Sequence, residues 1–551
     1  MTPILTLITA ALYLDPPPGL VGWLGLFLGI CALLALLWTG RRYNASFHRG
    51  QWALFIILLL ITPFASLYLG ARFSINPGLP PPGIIAAPAE PVVMFMAAIP
   101  WALAAGLLGP LSASALALLS GLIIAGWHYH NPFYALEMGL IAALLSALLR
   151  QRYRTFFYRA ARRPLIAAGL MALVFPALHL LVALVTSPGL LVSRLDYALT
   201  NLAGIWLAVV SELLIAGLAM QLIQLIAPGA WPVAAPLEPS PSERSLQTRF
   251  IVSMAPLALI LIVTLMAGDW FVAGRVARDM LEAQMTNAAE VAAQGVPYYL
   301  ETGQTLILQL AADPILLSNN RLAVENLLAQ DIKKAPFFNQ LTLLDENAET
   351  IASYPTSYYV GKQAPLDELV AVNTALNGLP FQYYNAPPAN GQTTAQTSFI
   401  AAVFDSQNRA RRVLIGRSDL ATNPLTQPIL ASLNRVAGAD GQGMLLDENN
   451  RILAHPNPER VMQTFTSQPG RQSAFYDDTA EDGTRVLVAI HPAQGQPWSI
   501  VLVVPAYRVQ QIALTIAAPL LGMIALLSLI GVLIIRLGLN VITRSLEKLA
   551  A

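Results

Sequence analysis

Met444-Leu445-Leu446-Asp447-Glu448-Asn449-Asn450-Arg451-Ile452-Leu453-Ala454-His455-Pro456 is the stretch on which the fold turns. An earlier stretch repeats its phrase: Leu343-Leu344-Asp345-Glu346-Asn347, then Ile351-Ala352-Ser353-Tyr354-Pro355. Each copy reads as a strand, an acidic turn and a second strand. The Asp-Glu-Asn step is turn chemistry, and the flanking aliphatic and β-branched residues favour extended chain. Further strands are expected at Thr397–Phe404 and Arg411–Ser418, around a polar turn at Asp405–Asn408, and at Arg485–Ile490 and Ser499–Val503. Two units of roughly five strands follow, each a small antiparallel PAS-like sheet with helices on one side. A doubled unit of this kind between two apolar segments points to sensing rather than to catalysis.

The surroundings are apolar. Of 551 residues, 56% are hydrophobic and 11% charged, where a soluble domain carries about a quarter charged residues. The deficit is concentrated in residues 1–268 and 512–535. The expected fold class is therefore an α+β membrane protein: a seven-helix transmembrane bundle, then a transmembrane-anchored α+β domain outside the membrane. A net charge of +1 and the lack of a basic, aromatic-interleaved stripe argue against a nucleic-acid partner. The single cysteine, Cys31, lies in an apolar run and makes no intrachain disulfide. Pro3 to Leu14 is too short to span and has no basic start; it reads as an interfacial segment rather than a signal peptide.

Nine candidate spans emerge: Leu20–Trp38, Trp52–Gly70, Val92–Leu108, Leu111–Trp127, Tyr134–Leu149, Leu165–Val185, Ala198–Ala227, Phe250–Ala267 and Ile512–Ile535. Arginines cluster after the first (Arg41, Arg42, Arg49) and the fifth (Arg150, Arg152, Arg154, Arg159, Arg162, Arg163). Arg536, Arg544 and Lys548 follow the last. With the N-terminus outside, nine spans bring all three clusters to the cytoplasm, as the positive-inside rule requires, and leave residues 269–511 outside. This places the chain in a cell's inner (plasma) membrane as a multi-pass protein. Pro228, Pro232, Pro236, Pro239 and Pro241 make residues 228–249 a semi-rigid linker between the seven-span module 1–227 and the helix at 250–268. Trp270 marks the membrane edge. A helical pattern through Val272, Val276, Met280 and Ala283 predicts a rod that runs as far as Gly295 and Pro297.

Residues 270–510 resemble a double Cache domain, the extracellular sensor of many bacterial receptors. The resemblance rests on the phrase ending in His455-Pro456 and on the closing Gln496-Pro497-Trp498-Ser499-Ile500-Val501-Leu502-Val503-Val504-Pro505. It implies that a small extracellular ligand binds the membrane-distal unit, about 305–420, rather than the proximal unit, about 430–505. Members that bind amino acids carry an Arg, Trp, Tyr and Asp set; the distal unit lacks Trp, so that set is incomplete. The candidate pocket residues are Tyr354, Tyr358, Tyr359, Tyr383, Tyr384, Asp405 and Arg417, aromatics with a few polar groups; the alternative role for the tyrosines is packing within the sheet. Asp447 is expected to shape its turn and His455-Pro456 to end its strand, with no catalytic or metal site, and no cofactor is expected.

Past the last span, Leu539, Ile542, Leu546 and Leu549 are spaced as a heptad seam. The phrase Val541-Ile542-Thr543-Arg544-Ser545-Leu546 resembles the first helix of a HAMP relay, with Ser545 where that family usually has proline. The alternative is a basic juxtamembrane stub. No catalytic domain follows, so the chain reads as a fragment or as a receptor whose output lies elsewhere; the ordinary output of this layout is a histidine kinase. The partners expected are the ligand, membrane lipids, a second copy of the chain, and a response regulator acting through the missing output.

The seven-span half says less. Gly106, Gly109-Pro110 and Gly121 permit close helix approach. The hairpin resembles both multi-span sensory modules of bacterial signalling enzymes and substrate-binding subunits of vitamin transporters. Glu212 lies mid-span with His179 as its expected partner, and serves either a ligand or proton site or helix packing. Glu137 is expected near the outer surface with His128 and His130. Three functions remain open at this point: a kinase-type receptor, a chemoreceptor or nucleotide-cyclase receptor, and a transporter or solute-capture protein.

Overall fold

A computed structural model describes residues 14–17, 19–45, 47–72, 91–231, 237–240, 243, 246–334, 336–356, 361–389, 391–438, 440–466, 472–480 and 482–550. The chain divides into two compact units, residues 1–275 with 480–484 and 509–551, and residues 276–479 with 485–508.

The first unit is helical: α1 (Gly19–Gly40), α2 (Arg49–Leu67), α3 (Ala98–Leu107), α4 (Pro110–Ile124), α5 (Phe133–Arg150), α6 (Phe156–Ala161), α7 (Pro164–Thr186) and α8 (Leu191–Ile226), with strands β1 (Gly70–Arg72) and β2 (Val92–Met94) paired antiparallel. α9 (Leu246–Ala311) leads into the second unit and α13 (Tyr507–Ala550) returns from it. Among the described residues eight helices are long and apolar enough to cross a membrane. The ninth expected span, Val92–Leu108, is the exception. Its first residues form β2, and α3 has only 10 residues, about 15 Å of helix against a hydrocarbon core of about 30 Å. Its backbone is instead enclosed by protein: Ala98, Trp101, Ala102, Ala104 and Ala105 are all buried. Small residues permit this. A side chain at Gly121 would meet Ala135 Cα at 2.6 Å, and α5 could not yield. Of the N-terminal apolar segment only Leu14 is described, and Pro232, Pro236 and Pro241 of the linker lie outside the described residues.

The second unit holds two sheets of identical topology. The distal sheet orders β4 (Thr350–Tyr354), β3 (Gln340–Leu344), β7 (Ala410–Asp419), β6 (Gln396–Phe404) and β5 (Phe381–Ala386). The proximal sheet orders β9 (Ile452–Ala454), β8 (Gln442–Leu446), β12 (Ser499–Pro505), β11 (Arg485–Pro492) and β10 (Ala474–Thr479). In each the first strand of the unit lies between its hairpin partner and the last strand, and every pairing is antiparallel. Helices α10 (Arg321–Lys334), α11 (Leu366–Leu376) and α12 (Gln427–Ala437) complete the unit.

The repeated phrase makes the repeated turn. Asp345 accepts the backbone N–H groups of Asn347 (2.9 Å) and Glu349 (2.8 Å), and Asp447 those of Asn449 (2.9 Å) and Arg451 (2.8 Å). Ala348 and Asn450 then turn the chain in the left-handed region, at φ 62° and 59°.

The rod does not stop at Gly295 and Pro297; α9 continues to Ala311. Pro297 forfeits one helical hydrogen bond, a cost of about 3 kcal/mol in an unsupported helix. Burial on both sides of the proline offsets it: Ala292, Ala293, Val296, Tyr299 and Leu300 are all inaccessible, and several buried side chains of about 1.5–3 kcal/mol each outweigh the loss. Gly295 is where Ile429 of α12 closes on the helix; a Cβ there would meet Ile429 Cδ1 at 2.5 Å, so the isoleucine would have to shift. Further along, Gly303 admits the ring of Phe399 from β6 in the same way.

Candidate functional site

Register decides which residues of the distal sheet face one another. Gln340 of β3 pairs with Arg417 of β7, Arg417 with Ser398 of β6, and Ser398 with Tyr384 of β5. Directly paired residues project from the same face, and so do residues two apart. This face therefore carries Gln340, Thr342, Ile415, Arg417, Ser398, Ile400, Gln382 and Tyr384. α11 covers it, burying Val372 and Ala375 against Leu344, Ile400, Ala402, Val413 and Ile415, with Tyr384 at the margin.

At one end of that apolar contact lies a closed polar network. Arg417 is 8% exposed and Glu368, one turn into α11, 2%. Arg417 Nε donates to Glu368 Oε1 at 2.8 Å, and Nη2 donates to Oε2, a two-pronged ion pair. Nη1 donates to Gln340 Oε1 (2.9 Å) and Thr342 Oγ1 (3.3 Å). Ser398 Oγ donates to Glu368 Oε1 at 2.5 Å. Gln340 Nε2 reaches Ser353 Oγ at 3.1 Å, which lies 3.1 Å from Thr342 Oγ1. Gln382 Nε2 donates to the Ala371 carbonyl and ties β5 to α11. Two opposite charges thus meet between the helix and the sheet, each satisfied by the other and by uncharged groups from β3 and β6.

The expected pocket residues scatter. Arg417 and Tyr384 share the face beneath α11. Tyr354 pairs with Leu341, and Tyr383 with Phe399; both belong to the opposite face, toward α9. There Tyr383 meets Trp498 edge-on at 6.3 Å. Burial, with Glu448 and Asp447 adding to it, pushes its hydroxyl up to about 12. Tyr358 and Tyr359 lie outside the described residues. Asp405 is a third copy of the acidic turn. It accepts the N–H groups of Gln407 (2.8 Å) and Arg409 (2.9 Å) and pairs with Arg411 at 3.0 Å. Those bonds, the Arg409 N–H foremost, hold its carboxyl down at about 2. It belongs to a β6–β7 turn, away from the strand positions that carry Arg417. Glu368 was absent from the expectation. A lone glutamate in a short helix has no sequence signal; only the fold shows it opposite an arginine 49 residues later.

The proximal repeat is tied down differently. Asp447 is buried and also receives Arg451 Nε at 2.8 Å. His455 follows β9. Its Nδ1 accepts the Asn457 N–H at 2.8 Å, and Nε2 lies 3.1 Å from Gln442 Oε1. Both bonds suit a neutral ring, and burial lowers its affinity for a proton.

In the helical module His179 pairs with Glu137 (3.0 Å), not with Glu212. Glu137 is fully enclosed. Glu212 Oε1 accepts the Met94 N–H at 2.7 Å, and Tyr129 Oη lies 3.3 Å from both N and O of Val92. These side chains supply partners to the backbone of β2, which no helix satisfies. The backbone of α13 is one helix through the expected relay positions Leu539, Ile542, Leu546 and Leu549, whose side chains lie outside the described residues.

The protein-family model described as "Cache domain" matches residues 272–511, and this part of the chain is a Cache domain. Among solved structures, the ligand-binding domain of the Pseudomonas fluorescens chemoreceptor CtaA in complex with L-isoleucine matches at 20% identity and TM-score 0.33. That match covers 43% of this chain and 98% of that one. The ligand-binding domain of the Pseudomonas aeruginosa PAO1 chemoreceptor PctC with GABA matches at 18% and 0.33, over 40% and 99%. The sensor domain of the Vibrio cholerae histidine kinase DctB matches at 12% and 0.32, over 41% and 98%.

Proposed function

We propose that the chain is the sensing part of a bacterial inner-membrane receptor, with residues 269–511 outside the cytoplasm and a small ligand bound beneath α11 in the distal unit. The observation that carries this reading is a Cache domain whose first and last helices, α9 and α13, are both span-length apolar helices. A ligand held between the sheet and α11 would act through the sheet, whose opposite face packs Phe399 against Gly303 of α9.

Arg417 is the group the ligand would engage. Glu368 occupies it in this structure, so entry requires Glu368 to withdraw with α11 or to be displaced by another acceptor. An acidic or zwitterionic ligand supplies that acceptor. Differential affinity for the two positions of α11 is what would shift the population. The seam at Leu539–Leu549 would pass the change to a second copy of the chain and to an output of histidine-kinase type with its response regulator; a chemoreceptor or cyclase output fits the same input. Glu212, engaged with the β2 backbone, gives no separate support to transport.

The test is thermal unfolding of the full chain in nanodiscs against small organic acids, amino acids, amines and sugars. A saturable rise for one class, lost in Arg417→Gln and weakened in the milder Tyr384→Phe, is the expected result. A well-folded protein that responds to none of them sinks the reading.

A further inference from the structure

Sequence reading treats the arginines after α5 as a marker of orientation. Orientation alone asks only for positive charge near the surface; it does not ask that the charges converge. Five of the six do. Arg150, Arg152, Arg159, Arg162 and Arg163 line a single cavity of about 180 Å³ with Gln151, Gln224 and Trp231. Arg154 is absent from the lining and pairs instead with Glu243 at 2.7 Å. No carboxylate borders the cavity among the described residues.

The walls are built rather than incidental. Trp231 is buried and lies against Gly106 of α3, where a side chain would collide with its ring. Arg150 Nη1 donates to the Gly106 carbonyl at 3.0 Å. Arg162 Nη2 is fixed by the Tyr153 carbonyl at 2.5 Å, while its Nε is buried with no partner. Burial and then the neighbouring Arg159 lower the Arg162 pKa. Arg163 stands at the N-cap position of α7, where the helix dipole adds positive potential. Guanidiniums gathered without an acid repel one another. An anion in the cavity relieves that repulsion. Guanidinium groups match phosphate oxygens in charge and geometry. The volume is below the roughly 300–1,000 Å³ of drug-sized pockets, which fits a compact group.

We propose that this cavity binds a phosphate group, carried either by an anionic lipid headgroup at the membrane surface or by a soluble phosphate. The site stands apart from the Cache domain and does not depend on the ligand proposed there.

Two arms separate the sources. The full chain in phosphatidylcholine nanodiscs is titrated with inorganic pyrophosphate at constant ionic strength, following thermal unfolding; parallel nanodiscs contain phosphatidic acid. Stabilisation by pyrophosphate identifies a soluble phosphate, and stabilisation by phosphatidic acid with no pyrophosphate effect identifies a headgroup. In either arm Arg162→Gln is expected to weaken the effect roughly tenfold, the scale of one charge-assisted hydrogen bond. Arg152→Gln, at the exposed rim, weakens it less and guards against a folding defect. No saturable response in either arm, or responses unchanged in both variants, overturns the proposal.

Discussion

Arg417 and Glu368 form a two-pronged ion pair, Nε to Oε1 at 2.8 Å, between the central strand β7 and the covering helix α11. The pair holds α11 shut over the distal sheet. It also sets what removal of either partner does.

Breaking a buried pair from one side strands the other charge, typically at a cost of about 3–5 kcal/mol. Arg417→Met and Glu368→Leu are each expected to lower domain stability on that scale. The double variant should recover most of the loss, since apolar pairs often replace buried ion pairs at little cost. Denaturant unfolding of the four proteins measures the coupling. Simple additivity of the two losses would show that the groups act independently.

The Asp447 carboxylate serves two backbone N–H groups and Arg451 from a buried position. Asp447→Ala should cost about 1–3 kcal/mol, the price of leaving such donors unmet. Asp447→Asn keeps one acceptor oxygen and should retain part of it. Amide exchange at Asn449 and Arg451 reports the turn directly, and protection that survives in Asp447→Ala contradicts the assignment.

His455 is held neutral, with its proton affinity lowered by burial. The unfolded chain then binds the proton more readily than the folded one. Stability is full above the unfolded value of about 6.5 and declines as pH falls from there through the lower folded value. Wild type should lose melting temperature between pH 7.5 and 5. His455→Gln, which keeps polar contacts but does not titrate, should show a flatter profile over the same range. Equal slopes would remove His455 from the account.

Glu212 accepts one backbone N–H, at Met94. Glu212→Gln preserves a carbonyl oxygen in that position and should leave the detergent-solubilised protein near wild-type stability. Glu212→Leu leaves the N–H unmet and should cost about 1–3 kcal/mol. A Glu212→Gln variant as damaged as Glu212→Leu would point to a need for the negative charge, and would return Glu212 to consideration as a proton or substrate site.

Much of this architecture was legible in the chain. The Asp-Glu-Asn phrases marked two hairpins because a short acidic side chain reaching its own backbone is a local event, written in three or four consecutive residues. Span-length apolar runs were equally local. Errors arose where a neighbour from far along the chain decided the outcome. Gly295 and Pro297 look like a helix end, yet α12 packs on α9 there and the helix carries through. Val92–Leu108 reads as one unbroken apolar helix, yet Glu212 and Tyr129 hold an extended start ahead of α3.

The sequence by itself determined that two strand–turn–strand units lie between apolar helices, because hydrophobic period and turn chemistry act within a few residues. Only the tertiary structure decided which side chains meet: that Arg417 faces Glu368, that Tyr354 and Tyr383 lie on the other face, that His179 joins Glu137, and that five arginines share one cavity. Strand register and helix packing set those meetings, and both are fixed by long-range burial that no local stretch encodes.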